Sequence, residues 1–325
     1  MSLPGAAARG RLRPLLALVL MLVLARQAGA MQIERDGDQL VLSGPVIAGD
    51  LDRIKGALDA APAVRTVILR NSLGGDAPTG YRVGELIRAR GLRTAVSGFC
   101  ISSCSRMFLG GVERAFTDDL PPTRTFVGFH GHYDGQGNLN AASVRALGLE
   151  TWILRFTDGK ADPALVHRWV NIGRGGGTAS FYPVTAVAAG HPAATICEAP
   201  AGSAGPFTCE KLPTTALRMG VTTTDALAHS HTSPPSPTMP PASGWAAIAN
   251  LDRLPSQSPR ARSAYAGFLA WLGPRAFALS PDKQHFGWSI SFADPASRAL
   301  AACTTAAAQA CRLCAVDDAV VWTGP

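Results

Sequence analysis

From Met31 onward, apolar residues come in short runs whose period switches between two and about four positions. Leu40-Val41-Leu42, flanked by polar and turn residues, predicts an opening strand within 32–48. From Asp50 to Ala60, Leu51, Ile54 and Leu58 keep helical spacing, with Asp50 as the expected N-cap. Val64–Leu69 is a β-rich run that ends in Asn71-Ser72-Leu73-Gly74-Gly75. A helix over Pro78–Arg90 follows, and Tyr81, Val83, Leu86 and Ile87 can face a sheet. A short strand, Thr94–Val96, leads to Cys100-Ile101-Ser102-Ser103-Cys104 and the helix-compatible Met107-Phe108-Leu109. Asp118 to Thr125 reads as a loop, and Gly128-Phe129-His130 closes a further apolar run. Strands alternating with helices predict an α/β fold, a parallel sheet covered on both faces.

Helical stretches at Ala141–Phe156 and Pro163–Ile172 come after a polar tip, Asp134 to Asn140. Gly173-Arg174-Gly175-Gly176-Gly177 lacks the Lys-Ser/Thr and the clear preceding strand of a phosphate loop, so it reads as a turn. Val184–Gly190 and Ala216–Val221 are short closing segments. Residues 229–244, rich in proline and serine, cannot build a core and read as a linker, with His229 and His231 an incidental pair rather than a metal site. Beyond it, Ala276–Ser280 and Phe286–Ser289 read as strands, Pro295–Cys303 as a helix, and Cys311–Val316 and Val320–Trp322 as closing strands. The expected organisation is a signal peptide over 1–30, an α/β domain over 31–222, a linker over 223–244 and a small α+β domain over 245–325.

The signal peptide rests on Arg9, Arg11 and Arg13, the apolar core Leu15–Ala25, and Ala28-Gly29-Ala30 before Met31. Its core is short for a membrane span, and no cysteine marks a lipid anchor. Removing it takes four arginines and no acid, so the formal charge falls from +7 to +3. The basic balance therefore gives no reason to invoke nucleic acid. The expectation is a periplasmic or secreted protein with no stable membrane anchor after cleavage. In such a compartment the seven cysteines become a disulfide question. Cys197 with Cys209, and Cys303 with Cys311, are the expected loop staples. Cys100 and Cys104 could bridge across a turn, although helical spacing would hold them near the limit of disulfide geometry. One thiol is left over, with Cys314 the candidate. Three cysteines at the C-terminal end lack a well-placed fourth ligand for zinc, so no metal is expected.

Two adjacent glycines after a buried strand can leave N–H groups pointing into a cleft, as an oxyanion hole requires. Ser102 and Ser103 precede a helix, where serine also serves simply as a cap. A histidine at the end of the next strand completes an ordered set of oxyanion donor, nucleophile and base.

These three motifs together resemble the Clp protease/crotonase superfamily, in its secreted Clp-protease-like branch, over residues 32 to 222. In that family the strand ends in Asn-Ser-Pro-Gly-Gly, and here Leu73 stands in the proline position. The secreted branch carries Cys-x-Ser-Ala-Cys, which places Ser102 at the nucleophile and Ser103 at the alanine. The resemblance implies a serine hydrolase with His130 as base and Gly74 or Gly75, with Ser103, as oxyanion donors. His132, two residues further on, is the alternative base. Where the family has its aspartate, this chain reads Val166-His167-Arg168-Trp169-Val170-Asn171. Asn171 is then the candidate third member, a Ser–His dyad and an inactive site being the alternatives. The substrate class implied is a peptide or another acyl compound, with no cofactor. Coenzyme A chemistry is disfavoured outside the cytoplasm, and no motif supplies an ATP-driven unfoldase. The clan's habit implies a homo-oligomer. The C-terminal part resembles a small Cys-paired module of exported bacterial proteins, in which tyrosine often stands at the position of Cys314. That module, with the missing aspartate, supports an alternative: a catalytically silent binding or assembly protein.

Overall fold

The computed structural model describes residues 29–199, 207–232, 240–291 and 294–324. The signal-peptide motif up to Ala28 and part of the linker lie outside the described residues. The apolar run at Leu40 does become a strand, and it pairs with a second one before it. β1 (Gln32–Asp36) and β2 (Gln39–Ser43) form an antiparallel hairpin, turned at Gly37 with φ 60°. α1 (Asp50–Asp59) follows, but its N-cap is Gly49. Asp50 is the first helical residue, fully buried, where its carboxylate accepts the Ile47 N–H and pairs with Arg53.

β3 (Thr66–Ser72), β4 (Arg93–Ile101) and β6 (Phe126–Phe129) continue the sheet in parallel with β2. β4 is far longer than its apolar centre predicts, and β5 (Arg114–Phe116) pairs beside its first half. Between the strands run α2 (Ala77–Ala89), capped by Asp76, and α3 (Ser103–Leu109). The sheet then continues antiparallel through β7 (Thr178–Phe181), β8 (Ala194–Glu198) and β9 (Thr208–Lys211), in the order β1-β2-β3-β4-β6-β7-β8-β9. The sequence reading did not anticipate these three strands. α4 (Ala141–Ala146), α5 (Leu149–Phe156), α6 (Pro163–Val170) and α7 (Val184–Ala188) complete this unit.

The alternation of side chains along the strands sorts the two faces. Leu40, Leu42, Val67, Leu69 and Val96 pack in the main core with Ile54, Val83, Phe108, Ile153 and Trp169 from the helices. The other face holds Val41, Ile68 and Ala95, and what lies against them is Ala228. Most of the helices thus crowd one face. The other is crossed by an extended strap including Ala228 and, further along, by α7, which sets Ala186 against Phe99, Ile101 and Phe126. The strap is tied down at Ala228, which bridges Thr117, and at Gln39, whose amide reaches the His229 carbonyl at 2.8 Å. Residues 223–232, expected to be linker, therefore belong with the first sheet.

The C-terminal part builds its own antiparallel sheet, β11-β10-β12-β13, from β10 (Ala276–Leu279), β11 (Phe286–Ser289), β12 (Arg312–Val316) and β13 (Ala319–Val320). α8 (Pro259–Ala270) sends Tyr265 and Phe268 against Phe277 and Leu279, while α9 (Pro295–Ala307) sets Ala299 and Cys303 against Ala276 and Ala278. Three disulfides are present, Cys100–Cys104, Cys197–Cys209 and Cys303–Cys311, and Cys314 is a buried free thiol that burial pushes up to about 12. Cys100 and Cys104 do not share a helix, which removes the helical-spacing objection: one is the last residue but one of β4, the other the second residue of α3. Among the described residues no helix is long and apolar enough to cross a membrane.

Candidate functional site

The parallel strands β3, β4 and β6 end side by side, so their C-terminal turns converge. After β3, Val46 forms a parallel bridge with Gly75: its N–H donates to the Gly74 carbonyl at 2.9 Å, and its carbonyl accepts from Asp76 at 2.8 Å. That pattern turns the Gly75 N–H away from Val46, toward the β4 side. Gly75 has φ 149°, and a Cβ there would fall 2.1 Å from the Val46 carbonyl oxygen. A Cβ on Gly74 would fall 2.6 Å from Ser102 Cβ and 2.8 Å from the Ser103 nitrogen. Glycine is required at both positions, and the turn lies directly against the serine motif.

Ser102 is the single irregular residue between β4 and α3, with φ 61° and ψ −128°. A non-glycine residue in such a region costs on the order of 1–3 kcal/mol and persists only where its surroundings enforce it. Here its N–H is held by the Gly128 carbonyl of β6 at 3.1 Å, and its carbonyl caps Ser105. Ser102 is part-exposed. Ser103 is buried, its hydroxyl without a partner and pressed against Gly80 of α2. The two serines therefore differ in access, Ser102 being the open one. Among the described residues neither the Gly75 nor the Ser103 amide finds a protein acceptor, whereas the Gly74 N–H is engaged by Ser72 Oγ at 3.2 Å. An orphan donor in the first turn of α3 is ordinary for a helix start; the Gly75 amide is a second one, in the glycine turn that packs against the serine motif.

His130 follows β6, on the strand next to β4. Its Nδ1 lies 2.6 Å from the Gly131 carbonyl, so Nδ1 carries the proton and Nε2 is the basic nitrogen. Gly131 in turn presses on the Val170 carbonyl at the end of α6, where a Cβ would come within 2.2 Å. No Ser102–His130 hydrogen bond is formed among the described residues. Burial first, then the Arg106 guanidinium, push the His130 imidazole down to about 3. His132, the alternative base, is enclosed: Tyr81 Oη lies 3.1 Å from Nε2 and Ser143 Oγ 2.9 Å from Nδ1, and burial with Arg106 lowers it to about 4.

Arg106 is the residue the sequence reading missed. It lies in α3 with 1 % exposure and donates from Nη2 to the His130 carbonyl at 2.7 Å, and its Nε has no partner. Arg70, Arg114 and Arg275 are also buried, and each pairs with a carboxylate: Asp119, Asp158 and Asp318. Among the described residues Arg106 pairs with none. The available signal was α3 itself, Ser103-Cys-Ser-Arg-Met-Phe-Leu109, too apolar to leave any side exposed. Asn171 is not brought to His130. It ends α6 on the surface, its amide donating to the His167 carbonyl at 2.8 Å and standing beside Glu150. Among the described residues no carboxylate replaces it at His130.

No protein-family model matches the chain, and no curated protein matches it. Among solved structures it is similar to ClpP1 from Listeria monocytogenes, at 14 % identity over 46 % of this chain and 84 % of that one, with a TM-score of 0.34. A variant of the same ClpP1 gives 12 % identity, 41 % and 78 % coverage, and a TM-score of 0.33. A variant of the 1510-N membrane-bound stomatin-specific protease gives 12 % identity, 41 % and 67 % coverage, and a TM-score of 0.31.

Proposed function

We propose that this chain is an exported, Clp-protease-like serine hydrolase acting on a peptide or another acyl compound. The carrying observation is the main chain of Ser102: φ 61° and ψ −128° at a strand-to-helix turn, with the Gly74-Gly75 turn packed against it and the Gly75 and Ser103 N–H groups without a protein acceptor among the described residues. In this reading Ser102 Oγ attacks the acyl carbon and its proton passes to His130 Nε2. The Gly75 and Ser103 amides hold the oxyanion, and His130 then returns the proton to the leaving group. The Gly131 carbonyl fixes the imidazole tautomer, a task given to a carboxylate in serine triads. It carries no full charge, so the imidazolium is less well stabilised and turnover is slow. Three disulfides suit an exported protein. A homo-oligomer belongs to the same reading and is checked by sedimentation of the purified protein.

The second reading is a silent binding module. A specific observation favours it: Arg106, whose guanidinium holds the His130 carbonyl, opposes imidazolium formation, and among the described residues no carboxylate offsets it. Fluorophosphonate labelling separates the two. Modification confined to Ser102 supports the hydrolase; a folded protein that never reacts supports the binding module.

A further inference from the structure

We infer that the Cys100–Cys104 disulfide is a positioning device that holds Ser102 in its reactive main-chain conformation. The inference rests on the hydrolase reading for its kinetic consequence, and on geometry alone for its structural one. Cys100 belongs to β4, in register with Ser72 of β3 and Val127 of β6. Cys104 is the second residue of α3, and both cysteines are fully buried, with Cα atoms 5.3 Å apart. The covalent ring they close contains Ser102, the one residue at which the chain leaves extended geometry and enters a helix.

Placement sets this bridge apart from the other two. Loop closure stabilises a fold more as the loop lengthens. Cys197–Cys209 spans 12 residues and Cys303–Cys311 spans 8, whereas Cys100–Cys104 spans only 4. It is the least useful of the three as a general staple, yet it encloses the strained serine. Non-covalent ties hold the same turn from two other sides: the Ser102 N–H to Gly128, and the Gly74 backbone against Ser102 and Ser103. Without the bridge, only these non-covalent ties oppose relaxation of Ser102 toward an ordinary helical or extended conformation. That would move its hydroxyl away from the Gly75 and Ser103 amides, and a displacement of about 1 Å is enough to cost on the order of a hundredfold in rate.

The test compares the mature protein with Cys100→Ala/Cys104→Ala, with Cys100→Ser/Cys104→Ser as a second variant should the first not fold, and with Cys303→Ala/Cys311→Ala as the control. Two readouts are taken: the rate of fluorophosphonate labelling at Ser102, and hydrogen exchange of the Ser102 and Ser105 amides. The expected result is labelling slowed about a hundredfold and faster exchange at those two amides, in folded protein, with neither change in the control. Equal labelling rates in parent and folded variant overturn the inference. A parent that is itself unreactive would remove the hydrolase reading but leave the exchange readout decisive. Unchanged protection at Ser102 and Ser105 then overturns the positioning role, and selective loss of protection supports it.

Discussion

At the scale of single residues, the site depends on two glycines and one charge. Gly74→Ala places a methyl 2.6 Å from Ser102 Cβ and from the Ile101 carbonyl. Overpacking of this kind costs about 1–3 kcal/mol, and here it also displaces the serine turn. The expected outcome is a lower Tm together with loss of Ser102 labelling, read by melting and by probe kinetics on the same sample. The pH dependence follows from His130. With its pKa pushed down to about 3, the imidazole is neutral and able to accept a proton, as a weak base, from about pH 4 upward, so labelling rises between pH 2 and 4 and then stays flat to pH 8. Arg106→Met removes the second cause but not burial, so the rise should move upward without reaching the free value of 6.5. A profile unchanged by that substitution would deny Arg106 its electrostatic role. Stability carries the same sign. Because the folded pKa is depressed, the unfolded chain binds the extra proton first, and stability present above pH 6.5 is lost as pH falls toward 3. The slope is at most about 1.4 kcal/mol per pH unit for each histidine so buried, and His130→Phe should reduce it in Tm measured against pH, leaving the part due to His132.

At the scale of elements, the readable parts were the local ones. The Gly74-Gly75 turn and the Cys197–Cys209 and Cys303–Cys311 pairs are short-range features with local spacing. The choice of Ser102 over Ser103, in contrast, comes from the family resemblance. The Cys100–Cys104 bridge, doubtful on helical spacing, forms because the two residues belong to different elements. β7, β8 and β9 were not readable, because Thr178–Phe181 and Thr208–Lys211 are short and lack a clean alternation; their strand state comes from pairing with β6 and with one another. α8 was missed because Pro259–Ala270 is mixed in polarity and acquires its buried face only against β10. The composition of residues 229–244 suggests a linker, whereas the strap over 223–232 is held by backbone ties at Thr223, Ala228 and Gln39 and by one buried side-chain cluster. Arg70 is buried, pairs with Asp119 at 3.1 Å, and meets Ser97 and Ser230 at 3.0 and 2.7 Å. Its guanidinium also donates to the Thr232 carbonyl. Removing one partner from a buried ion pair costs about 3–5 kcal/mol. Asp119→Ala should therefore destabilise the fold by that order in urea melts, and limited proteolysis should open the strap first. Unchanged cleavage there would show that the strap is held by something other than this cluster.

At the scale of the whole molecule, two sheets with separate cores meet through a few polar ties and an edge-on contact between Phe207 and Trp271. Arg124 donates to Asp317 at 2.8 Å, His191 Nε2 to the Leu272 carbonyl at 3.0 Å, and the Leu272 N–H to Cys209 Sγ at 3.3 Å. Asp317 also receives the Arg275 N–H in the turn that closes β12 and β13. Asp317→Ala should separate the unfolding of the second sheet from that of the first, seen as two calorimetric transitions; a single cooperative transition would place the coupling elsewhere. The first sheet carries every residue of the proposed chemistry, so its reactivity should survive that uncoupling. The central claim is that Ser102 and His130 form a working pair despite the absent carboxylate. Its most direct test is fluorophosphonate labelling of the purified mature protein beside Ser102→Ala and His130→Ala. The account predicts modification of Ser102 in the parent, none in the first variant, and a rate reduced about 10²–10⁴-fold in the second. A folded parent that stays unmodified, or a His130→Ala variant that reacts as fast as the parent, would contradict it.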